Sequence, residues 1–272
     1  MMKVLARNWL PAYAALYIIF LYLPVLLLPI FSVNASAVPV FPLKGFSMQW
    51  YESLWGNDVM LSAARNTLVV GVSAAILATL LGICAARAIT RYRFTGKRPM
   101  SAIIMAPLVL PEIIIATSLL LVLLQFGLGL SLFTVIVGHV LICLPYSITV
   151  LVSGFEGFDP AFEEASADLG ETAFGTMRRV TLPMLMPAIV SSLLVAFTIS
   201  LDEFMVAFFL SGTEPTLPIY IWGQLRFAAK LPSVLALGTI MLIGSLVLLT
   251  IAETVRRRAA RRTLNDGGGL FG

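Results

Sequence analysis

Six stretches of the chain are almost wholly apolar, and the polar residues gather between them. They cover about 11–33, 67–90, 100–124, 131–153, 188–210 and 233–253. Each is close to the ~20 residues that an α-helix needs to cross a ~30 Å hydrocarbon core. The pattern predicts an all-α integral membrane protein of six transmembrane helices, with 1–272 as a single membrane domain. Prolines interrupt several runs, at Pro24, Pro29, Pro107, Pro111 and Pro145. Such breaks are tolerated where neighbouring helices re-satisfy the freed backbone groups.

Charge then sets the orientation. With the N-terminus inside, fourteen of the eighteen Lys and Arg residues fall in cytoplasmic segments. They are Lys3 and Arg7, the group from Arg87 to Arg98, Arg178 and Arg179, and the group from Arg256 to Arg262. Only Lys44, Arg65, Arg226 and Lys230 are left outside. The positive-inside rule selects this arrangement, with both termini cytoplasmic. Lys3, Arg7, the first apolar run and Ala35-Ser36-Ala37 also have the layout of a cleavable signal peptide. Leu10–Phe31 is long for such a segment and holds three prolines, which favours a retained first span.

Composition agrees with the pattern. The chain is 59% hydrophobic and 12% charged, with mean hydropathy +0.97; soluble domains are roughly 25% charged. Cys84 and Cys143 both lie inside apolar runs, so they form neither a disulfide framework nor a metal cluster. The basic balance follows the span ends, and no nucleic-acid motif accompanies it. His139 and Cys143 stand four residues apart on the fourth run, but two ligands do not make a metal site. A packing histidine explains the pair more simply. No nucleophile–base constellation supports an enzyme, and no catalytic residue is assigned.

The connection 154–187 departs from the basic bias. It carries Glu156, Asp159, Glu163, Glu164, Asp168 and Glu171 against Arg178 and Arg179. Asp159-Pro160 reads as a helix start and Gly170 as a helix stop. Phe162, Ala165, Ser166 and Leu169 are spaced along one face of the short helix between them. Composition leaves two readings open: a surface shaped for a partner, or a solvated connector.

Within this loop Glu164-Ala165-Ser166, three residues, Gly170, nine residues and Val180-Thr181-Leu182-Pro183 follow in order. The spacing resembles the EAA loop of binding-protein-dependent ABC importer permeases, with Ser and Val as mild departures. Asn66-Thr67-Leu68, Trp50-Tyr51, Arg91-Tyr92-Arg93-Phe94, Ala167-Asp168-Leu169-Gly170, Leu201-Asp202-Glu203-Phe204 and Thr216-Leu217-Pro218 look like the spermidine and putrescine (polyamine) permeases of that family. The resemblance implies the type I importer permease fold in a bacterial inner membrane, with a cytoplasmic coupling helix. It assigns Glu164, Ala165, Ser166, Asp168, Gly170, Leu182 and Pro183 to ATPase coupling, the small side chains at 165 and 166 letting the helix enter a groove on the ATPase. It further implies a second, non-identical permease, two ATPase subunits and a periplasmic or lipid-anchored solute-binding protein. The chain carries no Walker A sequence, so it binds no cofactor itself; ATP and Mg belong to the ATPase partner.

Three carboxylates stand inside the runs: Glu112, Asp202 and Glu203. An ionised group at mid-membrane costs at least ~2.5 kcal/mol on insertion scales, so it commonly faces a cavity and marks a pathway. Counting ~1.5 Å per residue along unbroken helices puts Glu112 roughly 18 Å and Asp202 roughly 21 Å from the cytoplasmic side. A cation with two amines could bridge them at those similar levels. Helical neighbours point about 100° apart, so Asp202 and Glu203 cannot share one pore, and Asp202 is the expected cavity residue. The competing reading is a buried acid held by a backbone or a partner's arginine. Phe204, Phe208, Phe209, Tyr220 and Trp222 could meet an amine by cation–π contact, but an interfacial aromatic belt uses the same residues. Two other functional readings stand beside the polyamine one: an ABC importer permease for another small solute, and an ion-coupled secondary transporter, which lacks support from an internal repeat and leaves the EAA spacing unexplained.

Overall fold

The computed structural model describes the backbone of residues 2–266 and the side chains of residues 9–251, 253 and 254. Lys3, Arg7 and the arginines from Arg256 to Arg262, which carry half of the orientation argument, lie outside the described side chains. Among the described residues the chain forms twelve α-helices. They are α1 Met2–Ser32, α2 Gln49–Trp55, α3 Asp58–Arg91, α4 Lys97–Met105, α5 Glu112–Gln125, α6 Leu132–Glu156, α7 Ala161–Asp168, α8 Ala173–Thr176, α9 Leu182–Asp202, α10 Met205–Leu210, α11 Leu217–Gln224 and α12 Leu231–Asp266. Five continuous helical stretches are long and apolar enough to span: Trp9–Ser32, Asp58–Arg91, Leu132–Glu156, Ala173–Asp202 and Ala228–Ile251. A sixth arises only if Lys97–Leu108 and Glu112–Gln125 count together, and these two are bent by 106°.

That bend corrects the third predicted span, 100–124. A 3-10 turn over Ala106–Leu108 leads into Pro111, whose extended backbone (φ −56°, ψ 131°) starts α5 instead of continuing α4. Pro107 and Pro111 both lack the N–H that a continuous helix would use, which is the cause of the break. The fifth span differs at both ends from 188–210. Helix resumes at Ala173, passes through a π segment at Met177–Thr181 and stops at Asp202. Pro183 cannot donate a backbone hydrogen bond, and the helix widens just before it. Beyond Asp202, Glu203 is extended (φ −70°, ψ 114°) and a new helix, α10, begins at Met205.

The chain falls into two compact units. The first comprises the residues up to Leu61 together with Ile221–Gly244. Here the connection after α1 is tied back by the residues that follow it. Trp50 Nε1 donates to the Asn34 carbonyl (2.8 Å), Asn34 Oδ1 accepts from the Lys44 N–H (3.0 Å), and Ser32 and Tyr51 hydroxyls meet at 2.7 Å. The apolar side chains of α1 from Trp9 onward are broadly exposed, as suits a helix whose solvent is lipid or another subunit.

The second unit, Ser62–Tyr220 with the segment from Ser245, holds the longest pairing, α6 against α9. Small residues let these helices approach: a Cβ added to Gly154 would lie 2.5 Å from Ala188 Cβ. One core cluster joins Val70, Ile115, Ala116, Val135, Ile142, Val206 and Leu210. Another joins Ile83, Ala86, Leu151, Phe155, Phe158 and Leu185 beneath the 154–187 connection. Two segments quoted above meet here as well. Asn66 Nδ2 donates to the Pro215 carbonyl (3.1 Å), and the Leu217 N–H donates to Thr67 Oγ1 (2.7 Å).

Candidate functional site

The 154–187 connection is built around α7. Asp159 Oδ1 accepts from the Ala161 N–H at 2.9 Å, so the aspartate starts the helix. At the other end the Glu171 N–H reaches the Ser166 carbonyl (3.1 Å) and the Gly170 N–H reaches that of Ala167 (2.9 Å). This paired closure requires a left-handed residue between the helix and the following chain. Gly170 supplies it, at φ +86°.

The expected coupling residues divide between two surfaces. Glu164, Ala165, Asp168 and Gly170 are exposed on α7 and its exit, beside Phe162 and a Leu169 that is 87% exposed. Ser166 is buried: its hydroxyl meets Thr176 Oγ1 at 2.9 Å. The short side chain at 166 therefore serves packing within this chain, whereas Ala165 remains on the outer face. Leu182 and Pro183 begin α9, Leu182 against the core cluster around Phe155 and Leu185 and Pro183 exposed.

Sequence reasoning missed Glu163 and Arg91. Arg91, the last residue of α3, donates Nε to Glu163 Oε2 (3.0 Å) and a terminal nitrogen to the Phe158 carbonyl (2.9 Å). Its guanidinium also lies over the rings of Phe155 and Phe158, at 5.7 and 5.4 Å. Glu163 Oε1 accepts from Thr181 Oγ1 at 2.7 Å. Arg91 and Glu163 are 72 residues apart in sequence, and neither lies at a patterned spacing that would reveal the pair.

The intramembrane acids sit at the two helix breaks, and this revises how they were read. Glu112 is exposed in the first turn of α5, immediately after Pro111. Counting 1.5 Å per residue from the start of span three does not give its depth, because the helix turns by 106° on the way. Asp202 is exposed as the last residue of α9, and Glu203 is buried at 6% exposure. The 100° relation between them fails, since Glu203 has left the helix. Glu203 Oε1 instead accepts from the Val206 N–H (2.9 Å), satisfying the first turn of α10. It lies near enough to Glu112 for the two carboxylates to interact electrostatically. Both acids are thus at N-termini of short helices, where the helix dipole favours negative charge.

Around this point His139 Nδ1 meets Ser200 Oγ at 2.6 Å, and Cys143 Sγ donates to the Ala196 carbonyl at 3.4 Å. His139 and Cys143 each bind α9 separately, so His139 acts as a helix-packing residue. Gly138, one residue earlier, faces α10: a Cβ there would overlap Val206 and come within 2.8 Å of Leu210. Phe204, Phe208 and Phe209 form a run of ring contacts along α10.

Residues 78–261 match the model of the family described as binding-protein-dependent transport system inner membrane component. The chain belongs to this family of ABC importer permeases. It is 37% identical over 240 residues to the spermidine/putrescine transport system permease protein PotC of Haemophilus influenzae, covering 88% of this chain and 93% of that one. It is 35% identical over 273 positions to the putrescine transport system permease protein PotI of Escherichia coli strain K12, covering 97% and 96%. A crystallised permease chain of a bacterial ABC transporter that imports the acidic polysaccharide alginate superposes with a TM-score of 0.71 at 17% identity, over 94% of this chain and 97% of that one. A chain of the MetNI methionine ABC transporter gives 0.64 at 14% identity, over 76% and 98%. The fold is that of type I importer permeases, and the chain is a multi-pass transmembrane subunit of an ABC importer.

Proposed function

We propose that this permease forms half of the translocation path for a small cationic solute of the putrescine and spermidine class. The observation that carries the reading is that Glu112, Asp202 and Glu203 stand at two helix breaks between apolar helices. Similarity to permeases named for spermidine and putrescine supports the choice of solute. A polyamine carries two or more positive charges at neutral pH and loses hydration on entering the membrane. Fixed carboxylates replace part of that hydration, and their attraction grows as water is excluded. Asp202, like Glu112, is exposed, and among the described residues it has neither hydrogen bond nor ion pair. It is therefore the acid assigned to the solute, while Glu203 holds α10.

In this account a second permease completes the path, and a solute-binding protein delivers the cargo. Two ATPase subunits hold ATP and Mg and dock against α7, through Glu164, Ala165, Asp168 and the turn at Gly170. Both termini face the cytoplasm of a bacterial cell, an orientation that the Lys and Arg distribution supports. The test is uptake of radiolabelled putrescine and spermidine by cells expressing the complete importer with Asp202→Asn. Asparagine keeps the size and hydrogen bonding and deletes the charge, so a large fall in uptake with normal assembly is expected. Unchanged uptake would remove Asp202 from the path.

A further inference from the structure

We propose that Glu163, which lies outside the matched EAA spacing, is the positioning residue that ties the movement of α7 to two membrane helices at once. The inference rests on the transport reading above and assigns the connection through which force leaves the docking helix. Helix α7 has only eight residues, too few to hold a conformation or a position by itself in water. Its place is therefore set by tertiary bonds. The Asp159 cap and the Gly170 turn are local, and the Ser166–Thr176 hydrogen bond joins α7 to α8 inside the same connection. Phe162 stacks on Phe158 just past the end of α6, at 5.9 Å and 17° between planes.

Glu163 alone among the polar side chains of α7 bonds to the membrane helices on either side. One carboxylate oxygen takes the Arg91 guanidinium at the end of α3; the other takes the Thr181 hydroxyl at the last residue of the π segment that feeds α9. The ion pair is largely shielded, with side-chain exposures of 16% and 15%. It therefore resists solvent screening better than a surface pair. Arg91 is itself fixed, by the Phe158 carbonyl and by the Phe155 and Phe158 rings. A displacement of α7 must carry α3 and the root of α9 with it or break this joint.

The second half of the joint falls at a place suited to movement. The π segment Met177–Thr181 is an irregular turn in a helix that otherwise continues from Ala173 to Asp202. Such turns are frequent at functional sites. Helix α9 ends at Asp202, so a change of register at its root moves the acid assigned to the solute. Asp202 and Thr181, the residue that Glu163 holds, thus stand at opposite ends of α9.

The experiment uses the complete importer, reconstituted in liposomes with its binding protein, and compares wild type with Glu163→Gln, Thr181→Val, Arg91→Ala and the Glu163→Ala/Arg91→Ala pair. Subunit recovery, ATP hydrolysis and solute uptake are measured on the same preparations. The expected result is normal recovery of the ATPase, hydrolysis within about twofold of wild type, and at least a tenfold rise in ATP consumed per solute imported for Glu163→Gln. Thr181→Val, which removes one hydroxyl and leaves the ion pair, should shift the same ratio by a smaller factor. The double variant should be no worse than Arg91→Ala, because both substitutions open one joint. An unchanged ratio in both Glu163→Gln and Thr181→Val overturns the proposal. So does loss of ATPase binding, which would make Glu163 part of the docking surface. Absence of uptake by the wild-type importer would instead refute the transport reading itself.

Discussion

Gly170 ends α7 in a conformation that other residues resist, and the consequence can be given a size. Its φ of +86° lies in the left-handed region, and two backbone hydrogen bonds across it close α7. Alanine there should cost about 1–2 kcal/mol, roughly a 5–30-fold loss in the population of the closed turn. Valine should cost more, because its branched Cβ crowds the same backbone, and asparagine less, because its side chain tolerates this region. A Cβ at 170 would meet nothing within 4 Å in this chain. The loss within the chain therefore comes from backbone conformation alone. Docking against an ATPase could add a separate steric cost, and the substitution order distinguishes the two. Conformational control predicts coupling in the order Gly, Asn, Ala, Val; steric control predicts Gly, Ala, then the larger Asn and Val. The assay is ATP-dependent uptake per assembled importer for wild type and the three variants. Asparagine falling below alanine would refute the backbone argument, and valine equal to wild type would refute the role of this turn altogether.

Other expectations follow from the breaks and the topology. Glu203→Gln keeps an acceptor for the Val206 N–H and should assemble normally, whereas Glu203→Ala should lower thermal stability by about 1 kcal/mol, the usual worth of such a cap; equal melting of the two would deny the capping role. Gly138→Leu should destabilise the chain by about 1–3 kcal/mol through overlap with Val206 and Leu210, read as a fall in the detergent melting temperature. Cysteines at Ser47 and Thr213 should react with impermeant reagent from outside and one at Ser101 only from inside, on the orientation set by the basic residues. Thr213 is used because Ser211, its neighbour in the same turn, is buried.

Much of this architecture is legible in the sequence because lipid imposes a length on every crossing helix. The run near 67–90 lies within α3, and that near 131–153 starts with α6 and stops short of its end at Glu156, as expected where helices extend past the apolar core. Pro107 and Pro111 mark the broken span, yet nothing local specifies an angle of 106°; packing of α5 against α10 in the core cluster around Ile115 and Val206 sets it. At Glu203 the chain breaks without proline or glycine. An acid in an apolar run reads first as a pathway residue, but its placement three residues before an unsatisfied N–H at Val206 is also a capping signal. Asp159, Pro160 and Gly170 announce α7 correctly, since capping chemistry is local. The direction of Ser166 is not local. Period alone groups it with Phe162 and Ala165, and only Thr176, ten residues on, turns it inward.

The central claim is that this permease carries a cationic solute across the membrane under the control of ATP hydrolysed elsewhere. It is tested most directly by reconstituting the chain with its partner permease, ATPase subunits and binding protein in liposomes, and following labelled putrescine with and without ATP. The account predicts uptake that requires ATP and the ATPase, and that unlabelled spermidine suppresses. Putrescine uptake by the purified chain alone, driven by an ion gradient and indifferent to ATP, would contradict it.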